Sequence, residues 1–148
     1  MSAVPSREPL VLVVDDDAGS RKAMALTLAT DGRRVEEFGD ADSALSRAID
    51  DPSVGLVVTD LKMPGKTGIE LATDLAAARP DVSVLLVTAF GDIETLVKAK
   101  DLGTVDYVAK PVARDDLRLR ASAALGRARQ AGEIKQLRER LDKRYGFE

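Results

Sequence analysis

A chain of 148 residues, 45% hydrophobic but only 3% aromatic, has room for one ordinary domain plus a short extension, with a core built from Val, Leu, Ile and Ala. Cysteine and histidine are both absent, which removes disulfides, thiolate and imidazole metal sites, Ser-His-Asp catalysis and any phosphohistidine on this chain. The net charge of −3 divides into an acidic body, 12 basic against 19 acidic residues over 1–112, and a basic tail, 10 against 6 over 113–148. That tail reads as a solvated helix face rather than a nucleic-acid surface.

Leu10–Val14 is an unbroken apolar run ending in three aspartates, the pattern of a strand buried on both faces. Ser20–Ala29 follows with apolar residues at helical spacing, stopped by Asp31-Gly32. Val35–Phe38 is a short second strand, and Ala41–Ile49 a helix with Asp40 as its N-cap. Val54–Thr59 is a third buried strand, ending in Asp60; Ile69–Ala78 is a helix closed by Pro80-Asp81. Val82–Thr88 is the fourth strand, Ile93–Leu102 a helix before Gly103, and Tyr107–Ala109 the fifth strand, followed by Lys110-Pro111. Strands alternating with helices predict an α/β doubly wound parallel sheet. No apolar run is long enough to span a membrane, and MSAVPSREPL lacks the segments of a signal peptide, so a cytoplasmic protein is expected.

From Ala113 to about Arg144 the chain is rich in Leu, Ala, Arg and Glu, with no proline and only Gly126 and Gly132 as weak points. A continuous helix there would be roughly 48 Å long at ~1.5 Å per residue, more than one small domain needs. Leu117, Ala121, Ala124, Ala128 and Ala131 keep heptad-like spacing, and Ile134, Leu137 and Leu141 resume it after a three-residue skip. The second half is expected to act as a dimerising linker that makes the chain a homodimer.

Active groups of an open parallel sheet collect at the carboxyl ends of its strands. Those ends supply Asp15 and Asp16, Asp60, Thr88 with Ala89, and Lys110. Hard oxygen ligands in a small acidic cluster suit Mg²⁺. A carboxylate is a competent nucleophile for an acyl phosphate, a lysine can pair with one phosphoryl oxygen, and a threonine hydroxyl can donate to another. Taken singly, each residue has a plain structural explanation: aspartates cap helices, threonines end strands, and Lys-Pro makes turns. Their joint placement at successive strand ends is what points to phosphoryl chemistry.

Val13-Val14-Asp15-Asp16-Asp17, the segment from Val58 to Gly65 (VTDLKMPG), Val87-Thr88-Ala89 and Tyr107-Val108-Ala109-Lys110-Pro111 resemble, in order and spacing, the four signature segments of two-component response-regulator receiver domains. The resemblance implies a flavodoxin-like (βα)5 fold with strand order 2-1-3-4-5. It also implies a division into an N-terminal tail (1–8), a receiver domain (9–125) and a helical linker (126–148) toward a missing ATPase domain. By the same resemblance Asp60 is the phosphoacceptor for a sensor histidine kinase. Asp16 is the direct Mg²⁺ ligand, Asp15 acts through water, and the backbone carbonyl of Lys62 is a further ligand. Thr88 and Tyr107 form the switch pair, Lys110 contacts the phosphoryl group, and the Lys110–Pro111 bond is cis. Residues 133–148 also resemble the linker of sigma-54-dependent activators of the nitrogen-regulation type, whose longer chains carry ATPase and DNA-binding domains.

Lys66-Thr67-Gly68 departs from the usual apolar residue, Asp or Ser, then Gly, and sets a charge in the loop beside the site. Val112 stands where Phe is common, and Phe90, two past Thr88, is more apolar than usual there. Two other functions compete with the receiver. One is an aspartyl-phosphate phosphatase of the haloacid-dehalogenase type with Asp15 as nucleophile and Asp17 as acid/base. Against it, Gly19 stands where that family wants Thr or Val, and the chain is short for a cap and a distal acidic pair. The other is a degenerate receiver used only for dimerisation, which the full set of site residues argues against.

Overall fold

In the computed structural model, residues 8–89 and 105–126 are described. They form β1 (Leu10–Val14), α1 (Ala18–Ala29), β2 (Arg34–Phe38), α2 (Ala41–Asp50), β3 (Val54–Asp60), α3 (Gly68–Ala78), β4 (Ser83–Thr88) and β5 (Val105–Ala109). A helix over residues 114–126, here α4, follows. The five strands are all parallel in the order β2-β1-β3-β4-β5, the flavodoxin-like arrangement. The helix expected at Ile93–Leu102, Phe90 and the chain beyond Gly126 lie outside the described residues.

The apolar runs that mark β1 and β4 are buried along their whole length because helices cover both faces. On one face Leu10, Leu12, Val14, Val57, Val84 and Leu86 pack against Ala44 and Ala48 of α2 and Leu71 and Leu75 of α3. On the other, Val11, Val13, Leu56, Val58, Leu85 and Val87 meet Met24 and Leu28 of α1 and Leu117, Ala121 and Ala124 of α4. The start of the tail's heptad-like stripe is therefore spent on the domain's own core. The edge strands differ from their expected bounds: β2 starts one residue early at Arg34 and β5 two residues early at Val105. Both are only partly buried, so charged residues such as Glu36 and Asp106 enter them and blur the apolar pattern.

The register of β1 on β3 shifts between Leu10 and Val11, which pair with Val54 and Leu56 and leave Gly55 as the extra residue. A Cβ on Gly55 would lie 2.7 Å from Pro9 Cβ, so only glycine lets the chain entering β1 cross there. Each of the first three helices starts on a side-chain cap. Asp17 accepts from the Ser20 amide and Asp40 from the Ser43 amide, while Thr67 and Glu70 form a reciprocal capping box. At the amino end of β3 the Arg79 guanidinium donates to the carbonyls of Ala48, Asp51, Pro52 and Val54 and pairs with Asp81. It ties the end of α2, the start of β3 and the end of α3 into one unit.

Candidate functional site

At the opposite, carboxyl end of the sheet, the carboxylates of Asp15, Asp16 and Asp60 offer oxygens that all lie within 4.8 Å of one another. Adjacent parallel strands dictate this. Val14 pairs with Thr59, so the residues that follow, Asp15 and Asp60, emerge side by side. Asp60 pairs with Val87, and Thr88, the next residue of β4, pairs with Ala109 at the end of β5. Lys110 follows Ala109, and its Nζ stands 3.0 Å from Asp60 Oδ1. The Lys110–Pro111 peptide is cis, and the Lys110 amide donates to the Thr88 carbonyl at 2.8 Å.

Asp15 is 1% exposed and Asp60 7%, whereas Asp16 is open to solvent. The Asp15 backbone is held at both sides: its amide donates to the Phe38 carbonyl at 3.1 Å, and its carbonyl accepts from Arg21 Nη1 at 2.9 Å. Asp15 Oδ1 accepts from the Asp17 amide at 2.9 Å, but Oδ2 is buried without a hydrogen-bond partner. Burial pushes the Asp15 carboxyl above the ordinary aspartate value. The Asp17 amide and Lys110 act against that rise, and the charges of Asp60 and Asp16 add to it. A buried carboxylate with one unpartnered oxygen, set close to two more carboxylates, is a costly arrangement that a hard divalent cation would satisfy. The donors present, carboxylate and carbonyl oxygens, fit Mg²⁺.

The β3–α3 loop is packed on Asp60 itself. The Leu61 amide donates to the Val87 carbonyl and the Gly68 amide to the Leu61 carbonyl. A Cβ at Gly68 would run into the Asp60 carbonyl oxygen and come within 3.1 Å of Leu61 Cα. Lys62, two residues past Asp60, has an exposed side chain. Lys66, in the same loop, turns its ammonium to Asp74 on α3 and Asp42 on α2. The Thr88 hydroxyl donates to the Ala89 carbonyl at 3.2 Å. Tyr107, on β5, is 40% exposed, with the Arg120 guanidinium 5.4 Å from its ring centroid. The structure thus gathers Asp15, Asp16, Asp60 and Lys110, sets Thr88 and Ala89 on the adjoining strand end, and leaves Tyr107 at the surface. Ile134, Leu137 and Leu141 lie outside the described residues. Sequence reasoning passed over Arg21 and the Thr67–Glu70 capping box. The box has a readable Thr-x-x-Glu spacing; the partner of Arg21 is a backbone carbonyl, which leaves no trace in sequence.

The model of the response regulator receiver domain matches residues 11–122, most of the chain. The chain belongs to the response-regulator receiver family. As a receiver it is 40% identical over 93% of its length to the C4-dicarboxylate transport transcriptional regulatory protein DctD of Rhizobium meliloti. It is 36% identical over 83% to the transcriptional regulatory protein FixJ of Bradyrhizobium diazoefficiens. It spans 29% of the first of these proteins and 60% of the second. Among solved structures, the receiver domain of NtrX from Brucella abortus superposes with a TM-score of 0.72 at 36% identity, covering 78% of this receiver and 98% of that chain. No helix among the described residues is long and apolar enough to cross a membrane.

Proposed function

We propose that this receiver accepts a phosphoryl group on Asp60 from the phosphohistidine of a sensor histidine kinase and uses it to switch the output of a transcriptional activator. The observation that carries the reading is the convergence of Asp15, Asp16 and Asp60 with the Lys110 ammonium on Asp60. An Asp60 carboxylate oxygen attacks phosphorus, the phosphorus–nitrogen bond to the kinase imidazole breaks, and an acyl phosphate forms on the chain. Asp16, Asp60 and the Lys62 carbonyl, with Asp15 acting through water, would hold Mg²⁺, which when bound would offset the negative charge that repels the incoming phosphoryl oxygens.

Lys110 already pairs with Asp60 and needs only a side-chain rotation to follow the charge onto a phosphoryl oxygen. The Thr88 hydroxyl, held by a local carbonyl at 3.2 Å, turns to donate to the phosphoryl group. Tyr107 leaves its surface position and moves inward, reshaping the face formed by β5 and α4. The tail beyond α4 pairs two copies through Ile134, Leu137 and Leu141 and leads to ATPase and DNA-binding domains. The likeness to the transcriptional regulatory protein DctD over 93% of the chain supports an output in transcription. The site of action is the cytoplasm, and this segment itself touches neither DNA nor membrane.

Treatment with an acyl-phosphate donor and Mg²⁺, read by intact mass, tests the proposal. A gain of one phosphoryl group that disappears in Asp60→Asn supports it. No labelling would leave a dimerisation module, and steady turnover of phosphate esters blocked by Asp15→Asn would make the chain a phosphatase.

A further inference from the structure

We infer that Arg21 is a positioning residue that sets the acidic cluster for its divalent cation by holding the Asp15–Asp16 peptide. The inference rests on the reading of that cluster as a cation site. Arg21 lies on α1, one turn beyond the Asp17 cap, and its side chain is 23% exposed. Its Nη1 donates to the Asp15 carbonyl at 2.9 Å, and its Nε meets Glu37 Oε1 of β2 at 3.3 Å. Between the two contacts the guanidinium passes Gly39, where a Cβ would stand 3.5 Å from Nη1. The Asp15 carbonyl is the oxygen of the peptide that joins the two aspartates. Fixing it fixes where the Asp16 side chain leaves the backbone and where the Asp15 carboxylate stands beside those of Asp16 and Asp60. The Asp15 amide is bonded to Phe38 of the same edge strand, so Arg21 and β2 clamp the loop from both sides. None of these contacts touches the cation's own ligand oxygens, and so the role is one of orientation.

Charge and orientation predict opposite results, which makes the role testable. A cation beside a cation site repels the metal, so by electrostatics alone Arg21→Met would bind the metal more tightly and Glu37→Gln less tightly. The double variant, which removes one charge of each sign, would be unchanged. If Arg21 orients the loop, Arg21→Met weakens binding although it deletes a positive charge, and the double variant is weakened equally.

The probe is Mn²⁺, titrated into the full chain and followed by the electron paramagnetic resonance of the free ion, alongside melting of each metal-free variant. The expected result is a loss of about tenfold in Mn²⁺ affinity for Arg21→Met and for Arg21→Met/Glu37→Gln, the size seen when the partner of a metal ligand is removed. Arg21→Lys keeps the charge but cannot hold the carbonyl and Glu37 together, and it is also weakened. Should Arg21→Met fail to fold, Arg21→Lys carries the test. Affinity equal to or tighter than the parent in whichever of the two is folded overturns the inference. Asp16→Asn is the control: if it binds Mn²⁺ as the parent does, the cation reading itself falls. If it loses binding while the Arg21 variants do not, only the role of Arg21 is wrong.

Discussion

Asp15→Asn is expected to make the metal-free protein more stable at neutral pH while removing its response to Mg²⁺. Asp15 is 1% exposed, and its carboxylate lies within 4.8 Å of those of Asp16 and Asp60. At that separation two unit charges repel by about 3 kcal/mol at an effective dielectric near 20. The Lys110 ammonium on Asp60 and the solvent around Asp16 reduce this, leaving a net gain of about 1–2 kcal/mol when the Asp15 charge is removed. Asparagine keeps an oxygen for the Asp17 amide and sets an N–H₂ where the buried Oδ2 now has no hydrogen-bond partner. In a chain of this size the melting temperature should rise by about 3–6 °C. The pH dependence has a definite sign. Burial holds the folded Asp15 above its unfolded value, so at neutral pH its charged form costs stability. As pH falls through the raised value the parent takes up a proton and the cost disappears. The advantage of Asp15→Asn should therefore shrink on acidification toward the ordinary aspartate range. Calorimetric melts in chelator across pH 4–8, repeated with Mg²⁺, provide the measurement. An unchanged or lower melting temperature for Asp15→Asn at neutral pH, or a gain that persists in acid, would refute the argument.

Three further outcomes are expected. Gly68→Ala should cost about 1–3 kcal/mol in urea unfolding, because its methyl meets the Asp60 backbone, whereas Gly126→Ala, with open space around it, should be neutral or stabilising. Phe90 stands two residues past Thr88 and has no polar group to orient a hydrolytic water, so Phe90→Asn or Phe90→Glu should shorten the acyl-phosphate lifetime, measured by decay of the phosphorylated mass. Leu137→Asp with Leu141→Asp should convert a dimer to a monomer in sedimentation, since burying a large apolar side chain is worth about 1.5–3 kcal/mol; an unaffected dimer would assign the contact elsewhere.

The three central strands and the polar residues that end them were readable because topology and burial act on them without competition. β1, β3 and β4 have to be apolar throughout, and the polar residues that end them, Asp15, Asp60 and Thr88, stand out for that reason. The edge strands were shorter in sequence than in space, since Arg34 and Asp106 can sit on a half-solvated edge. The bulge at Gly55 depends on Pro9 crossing it, a contact between segments that no local pattern encodes. Lys66 was placed by its neighbours in sequence and found its partners, Asp42 and Asp74, on two separate helices.

The Arg79 knot gives the domain a mechanical polarity. One rim of the sheet is sewn by a guanidinium stitched through four carbonyls, at the end farthest from Asp60. The other rim is bridged across β3 and β5 by the lone Lys110–Asp60 pair among the described ion pairs, on a lysine that is 40% exposed. Any displacement set off at Asp60 would then start from a base held fast at the amino end of β3. In a receiver built this way, the throw of a lever moved from Asp60 would be set by how firmly that base is sewn.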